Sequence, residues 1–145
     1  MTRNRHLQSE PLDLEALLQE TQDPGSGALV VFSGTVRNEF EGEPVARLGY
    51  SAHAALVDSV LDELEQEVTD RFGVLQCRIV HREGLLEIGE DSVFVVVRSA
   101  HRGDAFDAAR YAIDELKQRA PVWKREHYAD GSIEYQEGTP LTGEA

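Results

Sequence analysis

Two long segments of the chain place their hydrophobic residues at the three- and four-residue spacing of an amphipathic helix. The first spans 56–72 and ends at Gly73, and its predicted buried stripe is Leu56, Val60, Leu61, Leu64 and Val68. The acidic residues between these positions, Glu65 among them, are predicted to form a solvated face. The second begins with Asp104 as its cap and ends near Arg119, because Pro121 disfavours helical geometry in the residue before it; its predicted stripe is Phe106, Ala109, Ile113 and Leu116. A shorter helix is predicted to open at Pro11.

Shorter runs rich in β-branched residues predict strands. They lie at 28–38, 45–52, 74–82, 92–99, 122–128 and 132–136, and the last two form a hairpin that turns at 129–131. Cys77 alternates with Leu75 and Ile79 on one strand face, which predicts that its thiol is buried. Segments 1–8 and 139–145 are predicted to be flexible tails, and 39–44 a mobile loop.

Together these elements predict an α+β fold with a largely antiparallel sheet, flanking helices and a C-terminal β-hairpin. A length of 145 residues corresponds to a single domain, 1–145. The longest apolar run, Val93 to Val97, is too short to cross a bilayer. The net charge of −13 disfavours binding to nucleic acid or anionic membranes, so an anionic ligand would need a local cluster of cations.

The chain has one cysteine, which excludes an internal disulfide and every cysteine-based zinc or iron–sulfur ligand set. A reducing, cytoplasmic location is therefore expected. The five histidines lack HExxH or comparable metal-binding spacing, so no metal site is expected.

Lysine usage is the most informative count. Lysines and arginines total 14, yet the only lysines are Lys117 and Lys124, seven positions apart. A solvated surface accepts either cation, whereas a site that needs an amine able to lose its proton or to act as a nucleophile requires lysine. The structural alternative is that Lys117 simply pairs with carboxylates at a helix C-terminus.

Two other segments combine cations with accessible backbone. His101 and Arg102 lie where a predicted strand passes into a helix, whose first N–H groups favour anions. Gly34 follows a buried strand and permits close approach of a ligand, and Arg37 nearby can clamp a phosphate or carboxylate. An exposed loop and a strand-end turn are the alternatives, and the spacing matches neither a P-loop nor a dinucleotide-binding motif.

Three motifs together resemble the large, catalytic subunit of molybdopterin synthase. They are FSGTVR at 32–37, SAHR at 99–102 and LKQRAPVWKRE at 116–126. The third motif is the most specific, and VHREG at 80–84 is similar to the family as well. The similarity extends from about Gly27 to Glu126.

The resemblance implies a sulfurtransferase that converts cyclic pyranopterin monophosphate to molybdopterin, in molybdenum cofactor biosynthesis. Both sulfurs would come from the C-terminal thiocarboxylate of a small ubiquitin-like carrier subunit. It also implies an α/β hammerhead-type fold and a cytoplasmic homodimer that binds two carriers to form a heterotetramer. No metal, organic cofactor, nucleic acid or membrane is expected.

The resemblance assigns catalysis to Lys117 and Lys124. It assigns substrate binding to Thr35, Val36, Arg37, His101, Arg102, Lys117, Lys124, Arg125 and Glu126. Three other functions remain open: a non-catalytic anion-binding α+β regulatory dimer, a sulfurtransferase that carries a persulfide on Cys77, and a cyclic-phosphate hydrolase that uses His101.

Overall fold

The computed structural model describes residues 6–135, which form three helices and nine strands. The helices are α1 (Leu14–Glu20), α2 (Ala54–Phe72) and α3 (Arg102–Arg119). The strands are β1 (Leu7–Gln8), β2 (Ala28–Thr35), β3 (Glu39–Phe40), β4 (Glu43–Ala52), β5 (Gln76–Arg82), β6 (Gly84–Glu87), β7 (Asp91–Ser99), β8 (Val122–Tyr128) and β9 (Ile133–Tyr135). The α+β prediction with largely antiparallel sheets is confirmed. The tail predicted at 139–145 and residues 1–5 of the tail predicted at 1–8 lie outside the described residues, so those parts of the domain prediction stay untested.

Four strands form the first sheet in the order β1-β5-β7-β2. Strands β5, β7 and β2 are antiparallel, and the short β1 runs parallel to β5 at the edge. Helices α2 and α3 cover one face of this sheet, and α1 covers the other through Leu17, which packs with Val80 and Phe94. Both faces are therefore buried, which explains why 93–97 of β7 is a continuous hydrophobic run without alternation.

The second sheet has the order β3-β4-β8-β9, and β6 also pairs with β4. Strands β4 and β8 are antiparallel, with Tyr50 opposite Lys124 and Leu48 opposite Glu126. Because side chains on opposite positions of paired strands share a face, this register groups these four residues on one side of the sheet.

Helix α2 confirms the first predicted helix, with Gly73 closing it in the left-handed conformation at φ 65°. Its buried face differs from the prediction. Leu56 is 50 % exposed, since its neighbour Val57 occupies the core instead. Glu65 is buried rather than solvated, because its carboxylate accepts a hydrogen bond from the backbone N–H of Ile79 at 2.7 Å.

Helix α3 ends at Arg119 as predicted, and Ala120 is extended as the following proline requires. Its start differs from the prediction, because His101 is the N-cap and Asp104 lies in the first turn. Phe106, which was predicted to be buried, is 61 % exposed. The face that contacts β2 and β7 is instead rich in alanines, namely Ala105, Ala108, Ala109 and Ala112, which allow the helix to approach the sheet closely.

Two segments that were predicted to be flexible are strands. Leu7 of β1 pairs with His81, and the carbonyl of His6 accepts the His81 N–H at 2.6 Å, so the prediction of a tail is wrong for residues 6–8. Segment 39–44 is a β3–β4 hairpin, whose two-residue turn places Glu41 (φ 50°) and Gly42 (φ 82°) at positive φ. The prediction of a mobile loop there is also wrong.

Smaller differences concern element boundaries. Helix α1 begins at Leu14 rather than near Pro11, because the Asp13 carboxylate caps it by accepting the Ala16 N–H at 3.1 Å. Residues 84–87, for which no element was predicted, form β6 along β4. Among residues 6–135, no helix is both long enough and apolar enough to cross a bilayer.

Candidate functional site

A cavity of about 310 Å³ lies between the two sheets and the C-terminal half of α3. Seven elements or their ends contribute to its wall. The polar and aromatic residues that line it are Phe32, Ser33, Thr35, Arg37, Glu39, Phe40, Tyr50, His81, Ser92, Lys117, Lys124 and Glu126. Its volume is at the lower end of the range of small-molecule sites.

The chain brings both of its lysines to this cavity. Lys117 lies in the last turn of α3, and the extended Ala120 and Pro121 link that helix to β8. Lys124, the third residue of β8, also lines the cavity. The two lysines that composition and spacing singled out therefore share one small site.

Lys124 is almost completely buried, at 2 % exposure. Its ammonium lies 3.9 Å from Oε1 of Glu126 and 5.2 Å from the centre of the Phe40 ring. A carboxylate and an aromatic face both stabilise a buried cation. The β3–β4 hairpin, which carries Phe40, thus helps to hold the ammonium in the cavity.

Strand alternation separates Arg125 from its two neighbours. Lys124 and Glu126 face the cavity, whereas Arg125 faces the other side of β8, where its Nε donates to Nε2 of His127 at 3.2 Å. Its guanidinium also packs over Gly49. A side chain at that position would crowd it, because a Cβ would lie only 3.0 Å from Arg125 Nη2. Desolvation lowers the pKa of His127, and the adjacent Arg125 lowers it further. Arg125 is therefore not among the residues that line the cavity, and its role in substrate binding stays a prediction.

Not every residue of the segment 35–37, at the end of β2, lines the cavity. Thr35 and Arg37 line the cavity, but Val36 between them is buried in the core at 3 % exposure. The backbone N–H of Val36 donates to the Glu90 carbonyl at 3.0 Å, and its carbonyl accepts from Gly89 at 2.9 Å. Val36 thus fixes the course of the chain between two residues that reach the cavity.

His101 and Arg102 lie at the strand-to-helix junction, as predicted, and both are exposed. Arg102 is the first residue of α3 and Lys117 lies in its last turn. Fifteen residues of helix separate their backbones by about 22 Å. Within one chain, the structure does not bring His101 and Arg102 to the cavity that holds the lysines.

His81 and Tyr50 line the cavity and were not predicted as site residues. Their rings meet edge to face, with centroids 5.0 Å apart. Nδ1 of His81 lies 2.7 Å from the carbonyl of Arg82, and burial lowers the pKa of the imidazole to about 4. The alternation of Cys77, Ile79 and His81 along β5 was a signal that this histidine points inward.

A second cluster of ligand-type side chains lies away from the cavity. Among the described residues, His6, Asp62 and Glu65 bring a ring nitrogen and two carboxylate oxygens within 4.8 Å of one another. These atoms are engaged already: His6 Nδ1 bonds the Ile79 carbonyl at 2.7 Å and Nε2 bonds Asp62 at 2.8 Å. Glu65 also accepts from the Arg78 guanidinium at 3.2 Å, which opposes a metal ion. The cluster ties His6, the residue before β1, to α2 and β5.

Cys77 is buried at 7 % exposure, as predicted. Desolvation, with a smaller contribution from Glu65, raises the pKa of its thiol to about 12. Because the thiolate is the nucleophile, a neutral buried thiol is poorly suited to carry a persulfide.

The known proteins to which this chain is similar are the catalytic subunits of molybdopterin synthase. A curated relative of that name from Thermoplasma volcanium is 40 % identical over 122 residues, which cover 84 % of this chain and 87 % of the relative. Another, from Halalkalibacterium halodurans, is 33 % identical and covers 97 % and 96 %. For a 39 % identical relative from Emericella nidulans, the match covers 87 % of this chain but only 65 % of that longer protein. The family model described as MoaE protein matches residues 7–119. The chain belongs to the MoaE protein family, which confirms the resemblance.

Solved structures confirm the fold. The crystal structure of molybdopterin synthase from Staphylococcus aureus matches with a TM-score of 0.86 at 32 % identity, and the match covers 94 % of this chain and 98 % of that chain. A protein–protein complex of subunits 1 and 2 of molybdopterin-converting factor from Helicobacter pylori matches with a TM-score of 0.75 at 25 % identity, covering 92 % and 90 %.

Proposed function

We propose that this protein converts cyclic pyranopterin monophosphate to molybdopterin with two sulfurs taken from the C-terminal thiocarboxylate of a small ubiquitin-like carrier. Its family membership supports this reaction, since the curated relatives are named as the catalytic subunits of molybdopterin synthase. The observation that carries the proposal is that both lysines of the chain line one partly enclosed cavity. The complex of two subunits in the Helicobacter pylori structure supports a carrier partner.

The cavity suits the charges of this reaction. The thiocarboxylate and the substrate phosphate are both anionic, and the protein as a whole carries a net charge of −13. Lys117, Lys124 and Arg37 supply a local cationic site that such ligands require. In each transfer a thiocarboxylate sulfur bonds to a substrate carbon while a carbon–oxygen bond at that carbon breaks, and the oxygen leaves as water or stays on the phosphate. Water then cleaves the bond between that sulfur and the acyl carbon, which releases the carrier as a carboxylate.

We assign Lys117 to the reaction centre, where an amine can assist sulfur addition and release of the carrier's acyl group. Lys124 stabilises developing oxyanions or positions the phosphate, because its ammonium is held against Phe40 and Glu126. Arg37 and Thr35 line the same cavity and contact the substrate phosphate.

His101 and Arg102 enter this proposal through a second copy of the chain. Since about 22 Å of α3 separates Arg102 from Lys117, one chain cannot apply both residues to one small substrate. A homodimer that brings the start of α3 toward the partner's cavity would complete the anion site. Mixing inactive Lys117→Ala and Arg102→Ala chains tests this arrangement: shared sites restore about a quarter of the wild-type activity, and separate sites restore none.

The decisive experiment incubates the purified protein with a thiocarboxylated carrier and the cyclic pterin, and detects the dithiolene product. We expect Lys117→Ala and Lys117→Arg both to lose activity by about 10²-fold or more, because arginine keeps the charge but not a titratable amine. Arg110→Ala is the matched control, since it removes an 87 % exposed cation from the same helix. Binding of the pterin without turnover in the wild type would instead favour a non-catalytic anion-binding regulatory dimer.

One further variant and one reaction without the carrier separate the remaining alternatives. Cys77→Ala should keep its activity, whereas a persulfide mechanism predicts that it loses all of it. Hydrolysis of the substrate's cyclic phosphate without any carrier would favour a cyclic-phosphate hydrolase that uses His101. We also propose that the reaction needs no metal or organic cofactor, so that dialysis against a chelator leaves turnover unchanged. We also propose a cytoplasmic location, because the single cysteine of the chain is a buried free thiol, as is usual in a reducing compartment.

A further inference from the structure

His81 is the least accessible polar side chain of the cavity that carries no formal charge. Its ring lies between β5, which holds it, and Tyr50 of β4, whose ring edge is 5.0 Å away between centroids. The residue is 1 % exposed and yet contributes to the cavity wall. Strand pairing through His6 and packing against Tyr50 leave the imidazole little freedom to rotate.

The hydrogen bond to the main chain fixes the tautomer of this ring. Nδ1 lies 2.7 Å from the Arg82 carbonyl, and a carbonyl oxygen can only accept, so Nδ1 carries the proton. Burial lowers the pKa of His81 to about 4, so the ring is neutral near pH 7. Nε2 is then an acceptor, and it points away from that carbonyl because the two ring nitrogens diverge.

A neutral acceptor complements the other groups of the cavity. Its charged side chains are Arg37, Glu39, Lys117, Lys124 and Glu126. The three cations among them donate hydrogen bonds to anionic parts of a ligand, and Glu126 lies beside Lys124. A heterocycle with ring N–H groups, such as a pyranopterin, also needs acceptors on the wall that it contacts.

We infer that His81 is a substrate-positioning residue whose Nε2 accepts a hydrogen bond from a ring N–H of the pterin and so orients it toward Lys117 and Lys124. This inference rests on the proposed function and adds to it the acceptor that recognises the heterocycle, beside the cations that bind the phosphate. It also gives a specificity rule: an analogue whose ring nitrogens carry no hydrogen gains nothing from His81.

Two variants and one control test the inference in the full-length protein. His81→Asn keeps an amide N–H that can donate to the Arg82 carbonyl but removes the group at Nε2, whereas the longer His81→Gln can return an acceptor toward that position. We expect the Kd for the cyclic pterin, measured calorimetrically without carrier, to rise about ten-fold in His81→Asn, the effect of one lost hydrogen bond, and to recover in part in His81→Gln. Val80→Ala is the matched control, because Val80 is buried in the same strand and packs with α1 on the opposite face.

A spectroscopic readout distinguishes positioning from a purely structural role. In protein labelled with ¹⁵N-histidine, the Nε2 resonance of His81 should move when the cyclic pterin binds, while Nδ1 stays protonated. An unmoved resonance, or a Kd in His81→Asn within two-fold of the wild type, would overturn the inference. The wild-type spectrum decides the matter even where a variant fails to fold.

The same experiments separate this inference from the proposed function. If the wild type binds the pterin and forms product while His81→Asn binds equally well, only the role of His81 is wrong. If the wild type does not bind the pterin, both the proposed function and this inference are wrong.

Discussion

The contact between Lys124 and Glu126 gives the sharpest energetic prediction. Both side chains are 1 % exposed, and their charged atoms lie 3.9 Å apart. Two opposite unit charges at that separation attract by about 4 kcal/mol at an effective dielectric constant of about 20. Desolvation of the two charges opposes this attraction, so the stability of a single variant does not measure the attraction. The non-additivity of two variants, one at each residue, does measure it.

The perturbation is a double-mutant cycle of Lys124→Met and Glu126→Gln, which remove the charges and keep the approximate size of the side chains. Each single variant leaves one charge without this contact in a buried site, and the double variant leaves neither charge. We therefore expect the double variant to be more stable than the sum of the single effects, with a coupling of about 2–4 kcal/mol.

The assay is urea unfolding of all four proteins at one fixed protein concentration, because self-association would make the stability concentration-dependent. Equal m-values establish that the change lies in stability rather than in the unfolded state. A coupling below about 0.5 kcal/mol, the size found for exposed ion pairs, would refute the argument that this buried pair holds the ammonium in place.

Three further predictions concern other parts of the molecule. Burial lowers the pKa of His81 to about 4, so only the unfolded chain protonates this histidine as the pH falls from about 6.5. The free energy of unfolding of the wild type, measured in urea, should therefore drop by up to about 3 kcal/mol between pH 6.5 and pH 4 relative to that of His81→Asn. The same dependence of unfolding free energy on pH in both proteins would contradict this. Leu61→Ala should lower the free energy of unfolding by about 2–5 kcal/mol in the same assay, because Leu61 is fully buried. Phe106→Ser, at a 61 % exposed site, should lower it by less than about 0.5 kcal/mol. A similar loss of stability in both variants would show that Phe106 is covered in solution. The Cys77 thiol, whose pKa burial raises to about 12, should react with a thiol reagent at pH 8 only as fast as the protein opens, and immediate labelling of the folded protein would disprove its burial.

Local patterns were sufficient to predict most of the secondary structure. Helices α2 and α3 and the long strands follow from amphipathic spacing, because each such segment must bury one face whatever its partners are. The C-terminus of α2 at Gly73 and that of α3 before Pro121 were predictable for the same reason, since the conformational limits of glycine and proline act within a few residues.

The errors arose where distant partners decide the outcome. Glu65 belongs to a charged and polar pattern, and its burial depends on Arg78 and His6, which are 13 and 59 positions away in sequence. Leu7 is buried only because a parallel partner, β5, lies 74 positions further along the chain. No local pattern carries such information.

The candidate site also combines features that a local pattern predicts with features that depend on distant partners. Both lysines were identified from the sequence, and their meeting in one cavity depends on how α3 and β8 are placed on either side of the Ala120–Pro121 link. Arg125 could have been separated from Lys124 and Glu126 by strand alternation alone, since a strand directs successive side chains to opposite faces. His81 also had the right parity along β5, but what it faces depends on Tyr50 in the other sheet.

The alternation of β8 constrains how the gene can change. One inserted codon between Pro121 and Trp123 would shift the strand by a step, so that inward-facing positions take residues from the outward-facing set: Trp123 would take the place of Lys124, and Arg125 that of Glu126. The turn at 129–131, with Gly131 at φ 92°, lies beyond the inward-facing pair and can absorb length variation without that exchange. Natural length polymorphism in this protein should therefore accumulate at the hairpin tip and be purged from the short link that follows α3.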